Sequence, residues 1–149
     1  MIASRGFSLL ELVVVMVIAG VLAAIAIPRL TDSESQATWY HEQALAAVRF
    51  AQRQAVAQRR NVYVCINSSS VLNIDYDSTC AVAHAQACSS SATVIQVPQK
   101  FCGPSGVNNS STTTPFSFDG LGQPSPIGGV TVTVSGRSIN VTAQTGYVF

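Results

Sequence analysis

The sequence predicts an α+β fold, in which a long N-terminal helix packs on small antiparallel β-sheets. Two features of the 149-residue chain lead to this prediction. Two segments carry helical patterns: residues 7–28 are almost entirely apolar, and residues 29–60 are amphipathic. From Asn61 onward, short runs of alternating apolar and polar residues are separated by Gly, Pro, Asn and Ser. Such runs are typical of strands joined by tight turns.

The first segment, residues 7–28, has the length and composition of a membrane span. Phe7 through Ile27 contains a single charged residue, Glu11. A helix of this length reaches about 31 Å, close to the hydrocarbon thickness of a bilayer. Inserting a carboxylate into a membrane costs roughly 2.5–3.5 kcal/mol of free energy at the bilayer centre and less near an end. We therefore predict that Glu11 has a functional partner. Pro28 lacks an N–H and predicts a kink after the span.

The second segment, residues 29–60, is predicted to be an amphipathic helix. Apolar residues recur at three- and four-residue spacing from Ala44 to Val56, which predicts an Ala-rich face against a sheet. The opposite positions are polar or charged: Glu42, Arg49, Gln52, Arg53 and Arg60. That second face is available for contacts with a neighbouring chain.

The remaining residues, 61–149, predict a β-rich domain. The expected strands are 61–66, 71–76, 93–97, 116–118, 130–134, 138–142 and 147–149. Their close spacing indicates hairpins and meanders. Covered by the amphipathic helix, these strands would enclose an adequate core.

The N-terminal residues Met1 to Gly6, followed by Phe7 to Val15, resemble the class III leader of type IV prepilins and type II secretion pseudopilins. In that family a prepilin peptidase cuts after the Gly and methylates the new amino terminus. The resemblance implies a leader over residues 1–6, cleavage after Gly6 and methylation of Phe7. It also implies that Glu11 pairs with a freed Phe7 amine during assembly, which makes a buried charge tolerable, and that Pro28 is the helix kink.

Two later segments narrow the resemblance to the GspH/FimT branch: Ala51 to Ala57, and Phe116 to Pro124 before a predicted hairpin. The branch implies a minor pilin or minor pseudopilin that initiates or caps a type IV pilus or secretion pseudopilus. It implies a single pass through the bacterial inner membrane, with residues 61–149 in the periplasm. The implied partners are the prepilin peptidase, other pilin or pseudopilin subunits and the inner-membrane assembly platform, and no cofactor is implied.

Four cysteines in the expected periplasmic part predict disulfides: Cys65, Cys80, Cys88 and Cys102. Three pairings are open. We favour Cys80–Cys88, which would close a short polar loop from Ala81 to Ala87, with Cys65–Cys102 as the second bond. A metal site at Cys80, His84 and Cys88 is disfavoured, because the tight Cys-x2-Cys spacing is absent. His41 is expected to be an exposed helix residue.

Other function classes have less support. Phosphate-binding Gly-rich loops, nucleophile elbows and paired carboxylates are missing from the sequence, so we predict no enzyme. Some FimT-like minor pilins bind DNA, but residues 61–149 hold two basic and three acidic side chains. Nucleic acid is therefore an unlikely partner, since only Arg49, Arg53, Arg59 and Arg60 could form a positive patch. A major pilin or adhesive fibre subunit stays open as an alternative.

Overall fold

The computed structural model describes residues 8–26, 33–67, 70–88 and 96–149. The chain consists of two compact units, Met1–Gln36 and Ala37–Phe149, each defined by the contacts among its own residues. Within these ranges the elements follow one another in the order α1 (Leu9–Ala26), α2 (Ser33–Gln58), β1 (Val62–Asn67), β2 (Val71–Asp75), α3 (Ala81–Ala85), β3 (Gln99–Cys102), β4 (Asn109–Ser111), β5 (Phe116–Phe118), β6 (Pro124–Ser125), β7 (Val130–Val134) and β8 (Arg137–Val141).

Helix α1 is aliphatic around its whole circumference. Every described side chain from Ser8 to Ala24 is exposed, including that of Glu11 in the first turn. Within the described ranges, no helix combines the length and the apolar character needed to cross a membrane.

Helix α2 buries the Ala-rich face that its spacing predicts. The buried residues are Tyr40, Ala44, Ala47, Val48, Ala51 and Ala55. The helix ends in a Schellman-type turn, since the Arg60 N–H donates to the Ala55 carbonyl at 3.2 Å and Arg59 takes a left-handed φ of 50°. His41 was expected to be exposed and this is wrong, because only 13% of its side chain is accessible.

Two antiparallel sheets complete the second unit. The five-stranded sheet has the order β3-β2-β1-β5-β6, and the three-stranded sheet has the order β4-β7-β8. Alternation along β1 and β7 sends every second residue inward, as expected for sheets with one covered face. Side chains of α2 and of both sheets form one hydrophobic cluster, in which the Phe116 and Phe118 rings meet edge to face at 5.8 Å. The predicted α+β class is confirmed.

Some strands differ from the prediction. Of the strand expected at 93–97, residues 93–95 lie outside the described residues, and Gln96 and Val97 are not extended into a ladder. Strand β3 starts after Pro98 instead. Strand β4 reads Asn-Ser-Ser, a sequence of low β propensity, and becomes a strand through pairing with β7. Helix α3 occupies the segment expected to be a polar loop.

The disulfides are Cys65–Cys80 and Cys88–Cys102, with Cα–Cα distances of 6.3 and 5.5 Å. The expected Cys80–Cys88 and Cys65–Cys102 pairs are therefore wrong. The reason is helix α3, which packs over β2 between its two neighbours, β1 and β3. Cys80, the residue before α3, therefore meets Cys65 in β1. Cys88, three residues after α3, meets Cys102 in β3.

This pairing also overturns the metal alternative at Cys80, His84 and Cys88. Both sulfurs are bonded to other cysteines, and the Nδ1 atom of His84 lies 3.3 Å from the Asn73 carboxamide nitrogen. Among the described residues, no group of His, Cys, Asp and Glu side chains could hold a metal ion.

Candidate assembly surfaces

The leader and anchor residues form the first candidate surface. Glu11 stands in the first turn of α1 with aliphatic neighbours on both sides. Gly6, Phe7 and Pro28 lie outside the described residues. Cleavage, methylation, the kink and the pairing of Glu11 with a Phe7 amine therefore stay predictions.

The second surface is the outward face of α2. Five exposed residues follow one another at steps of three and four positions: Trp39, Glu42, Ala46, Arg49 and Arg53. This spacing puts them on one side of the helix, opposite the buried Ala-rich face. We call this set the α2 stripe. Trp39, the chain's one tryptophan, is 56% exposed, which is unusual for so large an apolar side chain.

The C-terminal half of the α2 stripe borders a groove of about 350 Å³. We call it the tail groove, and its lining is Arg49, Gln52, Arg53, Tyr147 and Val148. The Arg49 Nε–H donates to the Val148 carbonyl at 3.2 Å. This bond fixes the guanidinium beside the C-terminal segment while its terminal amino groups keep further donors.

Gln52 joins the groove to two loops. Its carboxamide nitrogen donates to the carbonyl oxygens of Gly122 at 3.1 Å and Thr145 at 3.2 Å. The two loops approach each other at Gly146, where φ is +66° and an added Cβ would collide with the Gly122 carbonyl oxygen. Only glycine accommodates both the backbone angle and the close approach.

The C-terminal segment is held to the edge of β8 by backbone pairing. The N–H groups of Phe149 and Asn140 each donate to the other's carbonyl, at 3.0 and 2.8 Å. The Tyr147 and Phe149 rings stack at 5.9 Å, and both remain more than half exposed. The strand expected at 147–149 is thus a short bridged segment, with Val148 opposite Val141.

The four arginines considered from the sequence lie in three different surroundings, and Arg59 and Arg60 follow the end of α2 at Gln58. Arg49 and Arg53 line the tail groove, whereas Arg59 lines a separate groove with Val56, Gly120 and Leu121. The Arg60 guanidinium carbon lies 3.8 Å from the centroid of the Tyr76 ring, a cation–π contact. The positive patch considered from the sequence is therefore divided among three surroundings.

Sequence reasoning identified the polar face of α2 but missed the tail groove. The signal for the face is the three- and four-residue spacing of its charges. The groove depends on contacts between residues far apart in the chain, such as Arg49 with Val148 and Gln52 with Thr145. No local sequence pattern predicts such contacts.

Comparison with known families gives two matches that together cover most of the chain. The profile described as Type II transport protein GspH matches residues 42–146. The profile described as the prokaryotic N-terminal methylation motif matches residues 1–27.

A curated relative and two solved structures point the same way. The chain is 43% identical over 63 residues to the type IV narrow pilus major component PilA5 of Thermus thermophilus. That alignment covers 42% of this chain and 54% of the relative, so it spans about half of the relative's length. Two crystal structures of the type IV minor pilin FimU of Pseudomonas aeruginosa superpose with TM-scores of 0.52 and 0.55. They are 18% and 16% identical, over 78% of this chain and 90% and 88% of FimU, and at this identity they show the fold.

Proposed function

The chain belongs to the GspH family of type II transport proteins, and we propose that it serves as a structural subunit of a type IV pilus or a type II secretion pseudopilus. Proteins of this family and fold are structural subunits rather than enzymes. The observation that carries the proposal is the methylation motif at residues 1–27. It stands on the same chain as the GspH match at 42–146.

In the proposed topology, α1 belongs to a single anchor in the bacterial inner membrane and the β-rich unit lies in the periplasm. Support comes from the exposed aliphatic surface of α1 and from the two disulfides of the second unit, which are typical of an oxidising compartment. The proposed partners are the prepilin peptidase, neighbouring pilin or pseudopilin subunits and the inner-membrane assembly platform.

Two roles within a filament have specific support. A minor subunit that initiates or caps the filament is favoured by the fold it shares with the minor pilin FimU. A major subunit is favoured by the sequence identity to the major component PilA5. DNA capture has weaker support, because the four arginines lie in three different surroundings.

Intact-mass measurement tests the proposal. We expect chain co-expressed with a prepilin peptidase to lose residues 1–6 and to gain one methyl group on Phe7. Coexpression with a peptidase whose catalytic residues are inactivated is the control and should leave the full mass. Cleavage after Ala26, or a chain left uncut by the active peptidase, would contradict the assignment.

A further inference from the structure

The α2 stripe has two chemically complementary halves. Trp39 and Glu42 supply an aromatic ring and a carboxylate at its N-terminal end, whereas Arg49 and Arg53 supply two guanidinium groups at its C-terminal end. The Glu42 side chain is 67% exposed, and its described ionic neighbour is the adjacent His41, whose Nδ1 lies 3.5 Å away. Ala46 lies between the halves, and its small side chain protrudes little from the middle of the stripe.

We propose that the α2 stripe is a self-association surface, on which Trp39 and Glu42 of one copy dock against the tail groove of a second copy. The inference rests on the proposed filament role. It adds the partner, which is a second copy of the chain, and the surface that binds it. A contact between identical copies fits the major-subunit alternative.

One displacement along the helix axis satisfies both contacts. Arg49 follows Trp39 by ten residues and Arg53 follows Glu42 by eleven. At 1.5 Å per residue, a parallel copy shifted by about 16 Å brings Trp39 beside Arg49 and Glu42 beside Arg53. Guanidinium groups bind carboxylates through charge-assisted hydrogen bonds and stack on indole rings.

The receiving side is already ordered in the single chain. Arg49 is positioned by its bond to the Val148 carbonyl, and Gln52 is positioned by two carbonyls. The exposed Tyr147 ring forms a wall beside them. Binding to a preordered groove has a lower entropic cost than binding that must first fix these side chains.

The proposed filament role selects the orientation of the copies. An antiparallel pair centred on Ala46 would also match Trp39 with Arg53, but such a contact is isologous and closes at a dimer. The parallel contact is head to tail, a type that leaves a free donor and a free acceptor and can propagate into a filament.

Site-specific photo-crosslinking tests the contact in the full chain. The photoreactive amino acid p-benzoylphenylalanine replaces Trp39 in the chain, which is expressed in bacteria with a prepilin peptidase and the inner-membrane assembly platform so that copies can take the axial shift. After irradiation we expect a dimer whose crosslinked peptide comes from residues 49–58 or 142–149 of the second copy. The control places the same amino acid at Ile127, an 81% exposed position on a turn, and should give no adduct with those peptides.

Charge exchange tests the ion pair. We expect Glu42→Arg and Arg53→Glu each to lower the yield of the dimer adduct by about three- to tenfold, and the double variant to restore it. Arg137→Glu removes the same charge from an exposed position in β8 and should leave the yield unchanged. Failure of the double variant to restore the adduct would overturn the pairing of these residues.

Other outcomes separate this inference from the filament role. Adducts with lipid only, with another protein only, or with peptides outside the groove would overturn the self-association surface. The intact mass of the same samples reports leader removal. An uncut chain without adduct would contradict the filament role itself, whereas a cut and methylated chain without adduct would contradict the α2 stripe alone.

Discussion

The two units of the chain treat apolar side chains in opposite ways. In the first, α1 leaves its apolar side chains unburied by the rest of the chain, with Leu9 81% and Met16 66% exposed. In the second, Phe116, Phe118 and Ile74 are almost wholly buried. Apolar surface of this extent on one helix calls for an external partner, whereas the second unit already buries its own core. The buried apolar residues that fold the chain thus lie in Ala37–Phe149, whereas the apolar residues of α1 are available for assembly.

Removing a core aromatic should have the largest effect on stability. We expect Phe118→Ala to lower the free energy of unfolding of the second unit by about 3–5 kcal/mol, because the Phe118 ring is 0% exposed. The matched truncation Val14→Ala in α1 should leave that value within about 0.5 kcal/mol. Urea denaturation of the full chain in detergent, followed by circular dichroism, measures both. A comparable cost for Val14→Ala would show that α1 contributes to the same core.

Removing either disulfide should have the next largest effect. The bonds close segments of similar length, with sequence separations of 15 and 14, and each should contribute roughly 3 kcal/mol through loop closure. We expect the paired variants Cys65→Ser/Cys80→Ser and Cys88→Ser/Cys102→Ser to lose similar amounts of stability. Peptide mapping without reductant gives the connectivity directly. A fragment joining Cys80 to Cys88 would contradict the structure.

The cysteines also show where sequence reasoning reaches its limit. The count and the expected compartment predict bonded cysteines, but the pairing depends on which strands flank β2 and on the helix between Cys80 and Cys88. That helix is the short Ala81–Ala85 segment. Proximity along the chain favoured the wrong bond, because sheet order rather than sequence distance sets which cysteines meet.

The helices and strands also differ in whether local sequence or tertiary contacts determine them. Helix α2 and strands β1, β2, β5, β7 and β8 have internal periodicity. The sequence predicts β5 and β7 at their observed bounds and the other three strands within one residue at each end, and it ends α2 two residues past Gln58. Strand β4 was not predicted and exists because a partner strand offers hydrogen bonds. The tail groove likewise depends on tertiary contacts rather than on local sequence. Its residues come from α2 and the C-terminal segment, which tertiary contacts alone bring together.

A smaller effect is expected at Tyr40, the polar contact inside the core. Its hydroxyl donates to the Ser70 carbonyl at 2.8 Å and accepts from the Asn109 carboxamide at 3.0 Å. We expect Tyr40→Phe to lower the free energy of unfolding by about 1–2 kcal/mol at neutral pH. Tyr147→Phe, at an exposed position, is the matched control and should change little.

The same residue predicts a pH dependence. Burial raises the pKa of Tyr40 above 10.0, and the hydrogen bond from Asn109 offsets part of that rise. The unfolded chain therefore releases the proton at lower pH than the folded chain, and stability falls as pH rises above about 10. Tyr40→Phe should lose less stability than the native chain between neutral pH and that range. An equal alkaline loss in both would contradict the assignment to Tyr40.

The smallest effect on folding, and a large one on assembly, is expected at Glu11. Glu11→Ala changes a side chain of the first unit, so the free energy of unfolding of Ala37–Phe149 should stay within about 0.5 kcal/mol. Leader cleavage should also proceed, since the peptidase acts at Gly6. Filament or secretion output should fall sharply, because the proposed partner of the Phe7 amine is gone. Ser8→Ala, at the same end of α1, is the control without a charge. Normal output from Glu11→Ala would contradict the pairing of Glu11 with the Phe7 amine, whereas a destabilised second unit would contradict the separation of the anchor helix from the folded core.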